Sequence, residues 1–382
     1  MIRIKSDKII VDEQLIDGYL YIEGDKIVEV SSEVKPADVV YDYTGLYVSP
    51  GFIEMHTHGA VGETFIDCDV DGVIKACNFQ LSKGVTTILP TLSAAPYKMM
   101  KEGVRKIALA KRDARTKCNV LGAHLEGPYF STKQGGAQKV DFMTPPIEAE
   151  YSELLNEYPD DVARFSYAPE NDEGGKFSKY ITERGVLSSA GHTDATFADM
   201  KVAMANGCKL ITHLYSCTST ITRDKGFRIL GVIETAYLED DMFVEIIADG
   251  KHLPPDLINM IIKIKGSDKV ALITDSLAVA GTDLKEGTSL GIDFVVDQGV
   301  ARLKDLSGFA GSIATADRCI RVVTNDCKRP LTEAVKMYTK TPATILGLNK
   351  GSLVSGFDAD VIVFDDNIDV KHVFVMGDKK EI

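Results

Sequence analysis

This sequence of 382 residues has few basic residues, no closely paired cysteines and no long apolar stretch. The seven cysteines are scattered, form no CxxC pair and are odd in number, which favours reduced thiols and a cytoplasmic location. No stretch of apolar residues is long enough for a membrane span, and the N-terminus lacks the apolar segment of a signal peptide. We therefore expect a cytoplasmic protein that has no membrane partner.

Basic residues are the third deficit, with 43 lysines and arginines against 56 aspartates and glutamates. The net charge of −13 argues against a nucleic-acid partner, because a phosphate backbone attracts basic surfaces. A small anionic substrate remains compatible with this charge, since it needs only a local positive pocket. The hydrophobic content of 45% and the charged content of 26% are those of an ordinary soluble protein.

Strand patterns occur at both ends of the chain. Residues 3–11 and 19–30 carry β-branched alternation, and residues 361–364 and 371–376 are also predicted as strands. Gly24-Asp25 inside the second pattern is typical of a hairpin turn. Because the termini of a domain often lie close together, we predict one small β-sandwich domain formed by residues 1–50 and 346–382.

Between residues 51 and 345 the pattern changes to apolar strands that alternate with amphipathic helices. Eight strands are predicted, at 52–58, 85–91, 120–126, 164–170, 186–192, 210–214, 243–249 and 270–275. Helices are predicted between them at 71–82, 97–114, 196–206 and 255–264. Eight such units favour an α/β fold of the (β/α)8 TIM-type barrel class. A doubly wound open sheet is the alternative, but no GxGxxG follows the first strand.

Histidines concentrate at the predicted carboxyl ends of these strands, where barrel active sites lie. His56 and His58 point to the same face of the first strand because side chains alternate. The residues at or near the eight strand ends are His56, His58, His124, Glu126, Glu170, His192, His213, Asp249, His252 and Asp275. Six of the seven histidines belong to this set, and only His372 lies elsewhere. This clustering predicts a functional site at one end of the barrel.

Converging glutamate, histidine and aspartate side chains are ligands for a borderline divalent metal such as zinc, iron or cobalt. The HxH pair could hold a second ion, with Glu126 as the bridge. Such a metal acidifies water and thereby provides a nucleophile for hydrolysis. A carboxylate that takes the proton and returns it to the leaving group completes a hydrolase, and we assign Asp275 to that role. Capping a helix is the alternative role for Asp275.

Five segments carry a family resemblance. They are GAHLEGPY at 122–129, SAGHTD at 189–194, THLY at 212–215, IADGKH at 247–252 and ITD at 273–275. With the HxH pair, they resemble the amidohydrolase superfamily and, within it, the N-acetylglucosamine-6-phosphate deacetylase family. The bridging lysine that many amidohydrolases carry on the fourth strand is absent here. The resemblance covers nearly the whole chain and implies a metal-dependent deacetylase.

The resemblance also implies roles for individual residues. Glu126, His192 and His213 match the ligands of the primary metal, and His56 and His58 match the branch that can hold a second ion. Asp275 matches the catalytic acid and base. His252 matches a substrate contact and Arg223 a phosphate ligand; in the family both reach the partner's active site, which implies a homodimer. Arginine suits a phosphate because of its forked donors.

Three departures from the family pattern fall in the substrate pocket. The segment after THLY begins with Ser216 and Cys217 where the family has Asn-Ala-Met, and the REPG motif becomes Arg223-Asp-Lys-Gly226. A loop histidine is replaced by Gln138, whose amide could still bind a sugar hydroxyl. Three further cations near the predicted site keep an anionic ligand plausible: Lys225, Arg228 and Lys251.

We therefore predict hydrolysis of the acetamide of N-acetylglucosamine 6-phosphate, with one or two metal ions. Ser216, Cys217, Gln138, His252 and Arg223 are the expected substrate contacts. The same reaction on N-acetylgalactosamine 6-phosphate or another acylamino compound is one alternative, and a non-catalytic sugar-phosphate sensor is another. His124 shares a face with Glu126 but matches no ligand of the family, so we assign it a supporting role.

Overall fold

Eight parallel strands form a barrel at the centre of the computed structural model, which describes residues 1–289 and 292–382. In chain order, barrel strands 1 to 8 are Phe52–Thr57, Val85–Leu92, Ala123–Glu126, Val162–Tyr167, Leu187–Ala190, Leu210–Ile211, Phe243–Ile247 and Val270–Ile273. Strands 8 and 1 meet where Asp275 donates its backbone N–H to the carbonyl of His56, at 2.9 Å. The predicted (β/α)8 TIM-type barrel is confirmed, and the open-sheet alternative is wrong.

Each barrel strand is followed by at least one helix. The helices are Val70–Ser82, Tyr97–Arg112, Glu148–Glu157, Lys176–Thr182, Phe197–Ala205, Val232–Leu238, Pro255–Lys265, Ala316–Arg321, Leu331–Tyr338 and Lys340–Leu346. The four helices predicted from the sequence occur within a few residues of their expected bounds. Thr196 begins one of them with a capping box, in which its side chain and that of Asp199 bond each other's backbone N–H. Among the described residues, no helix is both long and apolar enough to cross a bilayer.

A single sheet of eight strands joins the two ends of the chain. Its strands are Ile2–Val11, Gln14–Glu23, Lys26–Ser31, Val39–Asp42, Tyr47–Pro50, Val361–Phe364, Val370–Val375 and Asp378–Lys380. Ile4, Leu20, Val361 and Phe374 are fully buried in one apolar core, so both termini contribute to the same domain. The predicted β domain is confirmed, while its boundaries at residues 50 and 346 remain a prediction.

A second, smaller sheet lies between barrel strand 8 and the helix that follows it. Its four antiparallel strands are Glu286–Ser289, Ile292–Asp297, Val300–Leu303 and Phe309–Gly311. Leu277, Phe294 and Ala301 form its apolar core. The strands and helices predicted between residues 51 and 345 did not include this sheet. The sheet forms because the apolar residues Ile292, Phe294 and Val296 occupy alternate positions and a Gln298-Gly299 turn reverses the chain.

Three ionisable side chains are fully buried in the barrel interior beneath the strand ends: Arg164, Glu245 and Glu54. Arg164 and Glu245, on strands 4 and 7, form a two-pronged ion pair, with Nη2 of the arginine 2.8 Å from Oε2 of the glutamate. Glu54 on strand 1 accepts the backbone N–H groups of His56 and Thr274, at 3.0 and 3.1 Å. Because His56 belongs to strand 1 and Thr274 directly follows strand 8, this carboxylate links the two strands in addition to the backbone bond from Asp275 to His56.

Candidate metal and active site

Six side chains converge at the carboxyl ends of the barrel strands. His56, His58 and Glu126 lie on or just after strands 1 and 3, while three others follow strands 5, 6 and 8: His192, His213 and Asp275. These last three have positive φ angles of 46°, 30° and 50°. Non-glycine residues rarely adopt this conformation, and it is concentrated at functional sites. Here it turns each side chain back over the mouth of the barrel.

The carboxylate of Glu126 lies at the centre of the cluster. Its Oε1 atom is 3.2 Å from His192 Nε2, 3.0 Å from His213 Nε2 and 3.3 Å from His56 Nε2. Its Oε2 atom is 3.2 Å from His58 Nε2. Asp275 approaches from the other side, with Oδ1 3.4 Å from His56 Nε2 and 3.2 Å from His58 Nε2. The side chain of Asp275 is 13% exposed while that of Glu126 is 2% exposed, so Asp275 is the more accessible carboxylate.

Backbone carbonyls orient two of the imidazoles through their other ring nitrogen. His192 Nδ1 donates to Gln134 O at 2.9 Å, and His213 Nδ1 donates to Ser216 O at 3.1 Å. Both rings therefore direct Nε2 at Glu126 Oε1. A neutral imidazole in this orientation presents a lone pair to a carboxylate, which is unfavourable unless a proton or a cation lies between them.

Charge at the cluster favours a cation. Burial lowers the pKa of His56, but the carboxylates of Asp275 and Glu126 outweigh burial and raise it to about 10. Burial likewise opposes charge on His58, and the same carboxylates raise its pKa to about 9. Burial raises the pKa of Asp275, yet His56 and His58 bring it down to about 2. The field that attracts protons to these rings also attracts a metal ion.

The donor set fits a divalent metal. Ligand atoms of Glu126, His192 and His213 lie within 4.8 Å of one another, as do those of His56, His58 and Glu126. Both ring nitrogens of His56 are buried and have no hydrogen-bond partner among the described residues, although carboxylates surround them. Imidazole and carboxylate ligands suit zinc, iron and cobalt. The cluster therefore has ligands for a primary ion and a set from which a second ion could be bound.

A cavity of about 510 Å³ opens over the cluster. Five residues of the cluster line it: His58, Glu126, His192, His213 and Asp275. Apolar side chains of the inserted sheet and its connection also line the cavity: Leu277, Phe294, Leu303 and Phe309. Lys139 is the one cationic side chain among the described residues that line it. This volume is in the range of small-molecule sites.

Several predicted substrate residues lie in the same cavity. Gln138, Ser216, Cys217 and His252 all line it. His252 is held by Asp249, whose Oδ2 is 2.8 Å from the Nδ1 atom, and its ring packs against Phe309 with 4.8 Å between centroids. His252 thus belongs to the cavity of its own chain, which differs from the expectation that it reaches the site of a partner.

Arg223 lies elsewhere, on an exposed hairpin formed by Thr222–Asp224 and Phe227–Ile229. Neither Arg223 nor the other two cations of this hairpin, Lys225 and Arg228, lines the cavity of the same chain among the described residues. The side chain of Phe227 at its tip is 77% exposed. The hairpin therefore presents both a cation and an apolar ring to the surroundings.

Three residues at the predicted strand ends have supporting positions. Glu170 accepts the backbone N–H of Asp194 at 2.6 Å, and so holds the loop after His192. The ring nitrogens of His124 contact Thr91 Oγ1 at 3.1 Å and Ser166 Oγ at 2.7 Å, which agrees with its predicted supporting role. Asp249 contacts His252, as described above. None of the three belongs to a group with metal-ligand spacing among the described residues.

The sequence reasoning missed the buried charges beneath the cluster. Glu245 Oε2 lies 3.7 Å from His56 Nδ1 and its own charge is balanced by Arg164. Tyr338 donates to Glu54 at 2.5 Å from a helix far along the chain. A charged residue inside an otherwise apolar strand could have indicated these buried charges, as in VARFSY at 162–167 and FVEII at 243–247.

Comparisons with known proteins agree with this architecture. A family model described as "Amidohydrolase family" matches residues 47–381. The N-acetylglucosamine-6-phosphate deacetylase of Rattus norvegicus is 30% identical over 94% of this chain and 90% of that protein. Its namesake in Lysinibacillus sphaericus is 29% identical over 94% and 91%. A mutant N-acetyl-D-glucosamine-6-phosphate deacetylase from Mycobacterium smegmatis, solved in complex with N-acetyl-D-glucosamine-6-phosphate, superposes with a TM-score of 0.90 at 28% identity over 99% and 98%. The resemblance inferred from the motifs is confirmed.

Proposed function

The chain belongs to the amidohydrolase family, and on this premise we propose that it hydrolyses N-acetylglucosamine 6-phosphate to glucosamine 6-phosphate and acetate. The observation that carries the proposal is the position of Asp275 beside the Glu126, His192 and His213 cluster at the floor of the cavity. The relatives named above bear the name of this activity and match nearly the full length of the chain.

In this proposal Glu126, His192 and His213 hold the primary metal, and His56 and His58 complete a second position. The metal, zinc, iron or cobalt, supplies Lewis-acid polarisation of the amide carbonyl and acidifies water. Gln134 O and Ser216 O fix the Nε2 atoms of His192 and His213 toward it through their Nδ1–H groups. The carbonyl oxygens thereby keep these imidazoles in the tautomer that a metal requires.

Asp275 is the proposed general base and general acid. It accepts a proton from the attacking water as the new carbon–oxygen bond forms, and delivers that proton to the sugar nitrogen as the carbon–nitrogen bond breaks. The products are then acetate and the free amine. Its low pKa, caused by His56 and His58 in spite of burial, keeps it ionised and able to accept the proton at neutral pH.

The sugar phosphate occupies the rest of the cavity. We assign Ser216, Cys217 and His252 to this region because all three line it, and Lys139 adds a positive charge. Leu277 and Phe309 supply apolar surface in the same cavity, which suits the methyl group of the acetamide.

A homodimer accounts for the exposed hairpin. Arg223 belongs to the proposed phosphate site, yet it projects from a hairpin outside the cavity of its own chain. Phe227 and Ile221 on and beside this hairpin are 77% and 51% exposed, and burying them against a second copy would stabilise a dimer. We propose that each subunit supplies Arg223 to the other. The cytoplasm is the proposed location, in keeping with seven free cysteines in the described structure.

The experiment that tests the function measures acetate release from a panel of acylated amino sugars. N-acetylglucosamine 6-phosphate should be the best substrate, ahead of N-acetylgalactosamine 6-phosphate and of both sugars without phosphate. Equal rates with and without the 6-phosphate would exclude the proposed phosphate site. If protein that is shown to contain metal releases no acetate from any sugar of the panel, the chain is better explained as a sugar-phosphate-binding protein.

A further inference from the structure

Gln138 makes two hydrogen bonds that together fix its side-chain amide. Its Oε1 atom accepts the backbone N–H of Ala94 at 2.9 Å, and its Nε2 atom donates to Glu126 Oε2 at 2.6 Å. Turning the amide over would place its oxygen against the carboxylate and its NH2 group against another donor. Only one orientation satisfies both partners, and in it a donor faces Glu126.

This donor differs from the imidazoles around the same carboxylate. His192 and His213 direct Nε2 at Glu126 Oε1, and when neutral these atoms are lone-pair acceptors because each Nδ1–H is bonded to a backbone carbonyl. A neutral amide donates whether the imidazoles are protonated or bound to metal. Gln138 therefore remains bonded to Oε2 when Oε1 is used by a metal ion.

The same short loop contacts a second ligand. Gln134, in the turn Thr132–Gln134, accepts the Nδ1–H of His192 through its backbone carbonyl. The loop is anchored independently, by Lys133 Nζ at 2.8 Å from Asp194 Oδ2. Two of the three proposed primary ligands, Glu126 and His192, are thus oriented by groups four residues apart.

From this arrangement we propose that Gln138 is a positioning residue of the metal centre, which holds Glu126 Oε2 so that Oε1 faces His192 and His213. The inference rests on the proposed metal site, and it gives Gln138 a role other than contact with the sugar. Groups that orient metal ligands from the second layer typically change metal affinity by about 10–100-fold when they are removed.

Gln138→Met tests the proposal because it keeps the length of the side chain and removes both hydrogen bonds. Gln14→Met is the matched control, since it makes the same change at an exposed position at the start of the strand Gln14–Glu23 in the β domain. Affinity for Zn²⁺ is measured by competition with a chromophoric chelator on the full chain, without substrate. We expect Gln138→Met to bind Zn²⁺ about 10–100-fold more weakly and Gln14→Met to match the wild type within about twofold.

The visible absorption of the Co²⁺-loaded protein gives a second measurement that reports ligand geometry. Gln138→Met should alter its bands, and Gln14→Met should leave them unchanged. If Gln138→Met does not fold, Gln138→Glu keeps the bond from Ala94 but in its ionised form has no donor for Glu126, so it should also alter the spectrum. Wild-type Zn²⁺ affinity and an unchanged spectrum, with a raised KM for the sugar phosphate, would overturn the proposal and make Gln138 a substrate contact. Neither metal measurement uses substrate, so failure of the proposed activity would be seen separately.

Discussion

Asp275 and His56 are joined twice across the seam that closes the barrel. The backbone N–H of Asp275 bonds the carbonyl of His56 at 2.9 Å, and Asp275 Oδ1 lies 3.4 Å from His56 Nε2. The proposed acid and base is therefore fixed to the strand that carries the HxH pair. The bonds that complete the barrel also position the chemistry.

Replacing Asp275 with asparagine should separate catalysis from metal binding. The amide of Asp275→Asn would keep the size of the side chain but could not accept the proton from water, so kcat should fall about 10²–10⁴-fold. Glu126, His192 and His213 are untouched, and the primary metal should be retained by elemental analysis. Full activity in the variant would show that another group moves the proton.

We propose that the HxH pair determines whether a second ion is bound. We expect His56→Ala/His58→Ala to lose any metal beyond one equivalent per chain, because Glu126, His192 and His213 suffice for the primary ion. Metal content is measured on protein purified without chelator. A double variant with the full wild-type content would mean that the pair does not hold an ion.

Removing the metal should make stability depend on pH in the alkaline range. In the metal-free protein, Asp275 and Glu126 raise the pKa of His56 to about 10 and of His58 to about 9, against the opposing effect of burial. Since both values lie above the unfolded value of about 6.5, this contribution is complete below about pH 6.5 and is lost as the pH rises through about 9 to 10.

Thermal unfolding scans between about pH 6.5 and 10 check this expectation. The Tm of the metal-free protein should fall across that window, while that of the metal-loaded protein should change less, because the ion replaces the protons. Parallel curves for the two forms would show that the metal does not lie among these imidazoles.

Glu245→Gln should destabilise the fold although Glu245 is no proposed ligand. The change leaves Arg164 as a buried charge without its partner, and the free energy of unfolding should fall by about 3–5 kcal/mol in urea titrations. Glu153→Gln is the control, since its ion pair with Lys101 is exposed and should contribute less than about 1 kcal/mol. Equal effects would mean that the buried pair is not fully shielded.

Substitutions in the hairpin should affect the hydrolysis of phosphorylated sugars only. Arg223→Ala should raise KM for the 6-phosphorylated sugar and leave hydrolysis of the unphosphorylated sugar nearly unchanged. Phe227→Asp should shift the sedimentation coefficient toward that of a monomer, because a charge would be buried at the subunit contact. If Phe227→Asp stays dimeric, the hairpin is not at the interface.

Mixed dimers test whether the arginine acts across the interface. Combining Arg223→Ala subunits with Asp275→Asn subunits should produce hybrids in which one site has both Asp275 and the partner's intact Arg223. Such hybrids should recover up to half of the wild-type activity per dimer, whereas either variant alone should not. Absence of recovery would place Arg223 in its own subunit's site or outside both.

Much of the fold could be predicted from the chain because barrel strands carry a local signal. Apolar runs separated by amphipathic helices predicted all eight barrel strands, and the longest helices were correct within a few residues. The strand ends were less accurate: residues 210–214 were expected as a strand, and only Leu210–Ile211 forms one. The chain leaves the ladder early there because His213 adopts a positive φ to turn toward Glu126.

The inserted sheet and the buried ion pair were beyond sequence reasoning for different reasons. The sheet at 286–311 consists of short strands, and its pairing is decided by a small core around Leu277 and Phe294 rather than by helix or strand periodicity. Arg164 and Glu245 are 81 residues apart in the chain. Their charges compensate each other only where strands 4 and 7 face a common interior.

The sequence alone determined which residues are candidates for the chemistry. Histidines and carboxylates at the ends of apolar strands must meet if the strands are parallel and form a barrel, so His56, Glu126, His192, His213 and Asp275 could be chosen before any coordinates. Tertiary structure decided which contacts these side chains and their neighbours make. Gln138 bonds Glu126, His124 contacts Ser166, and Arg223 does not line the cavity of its own chain, because side-chain direction and distance depend on how loops pack in three dimensions.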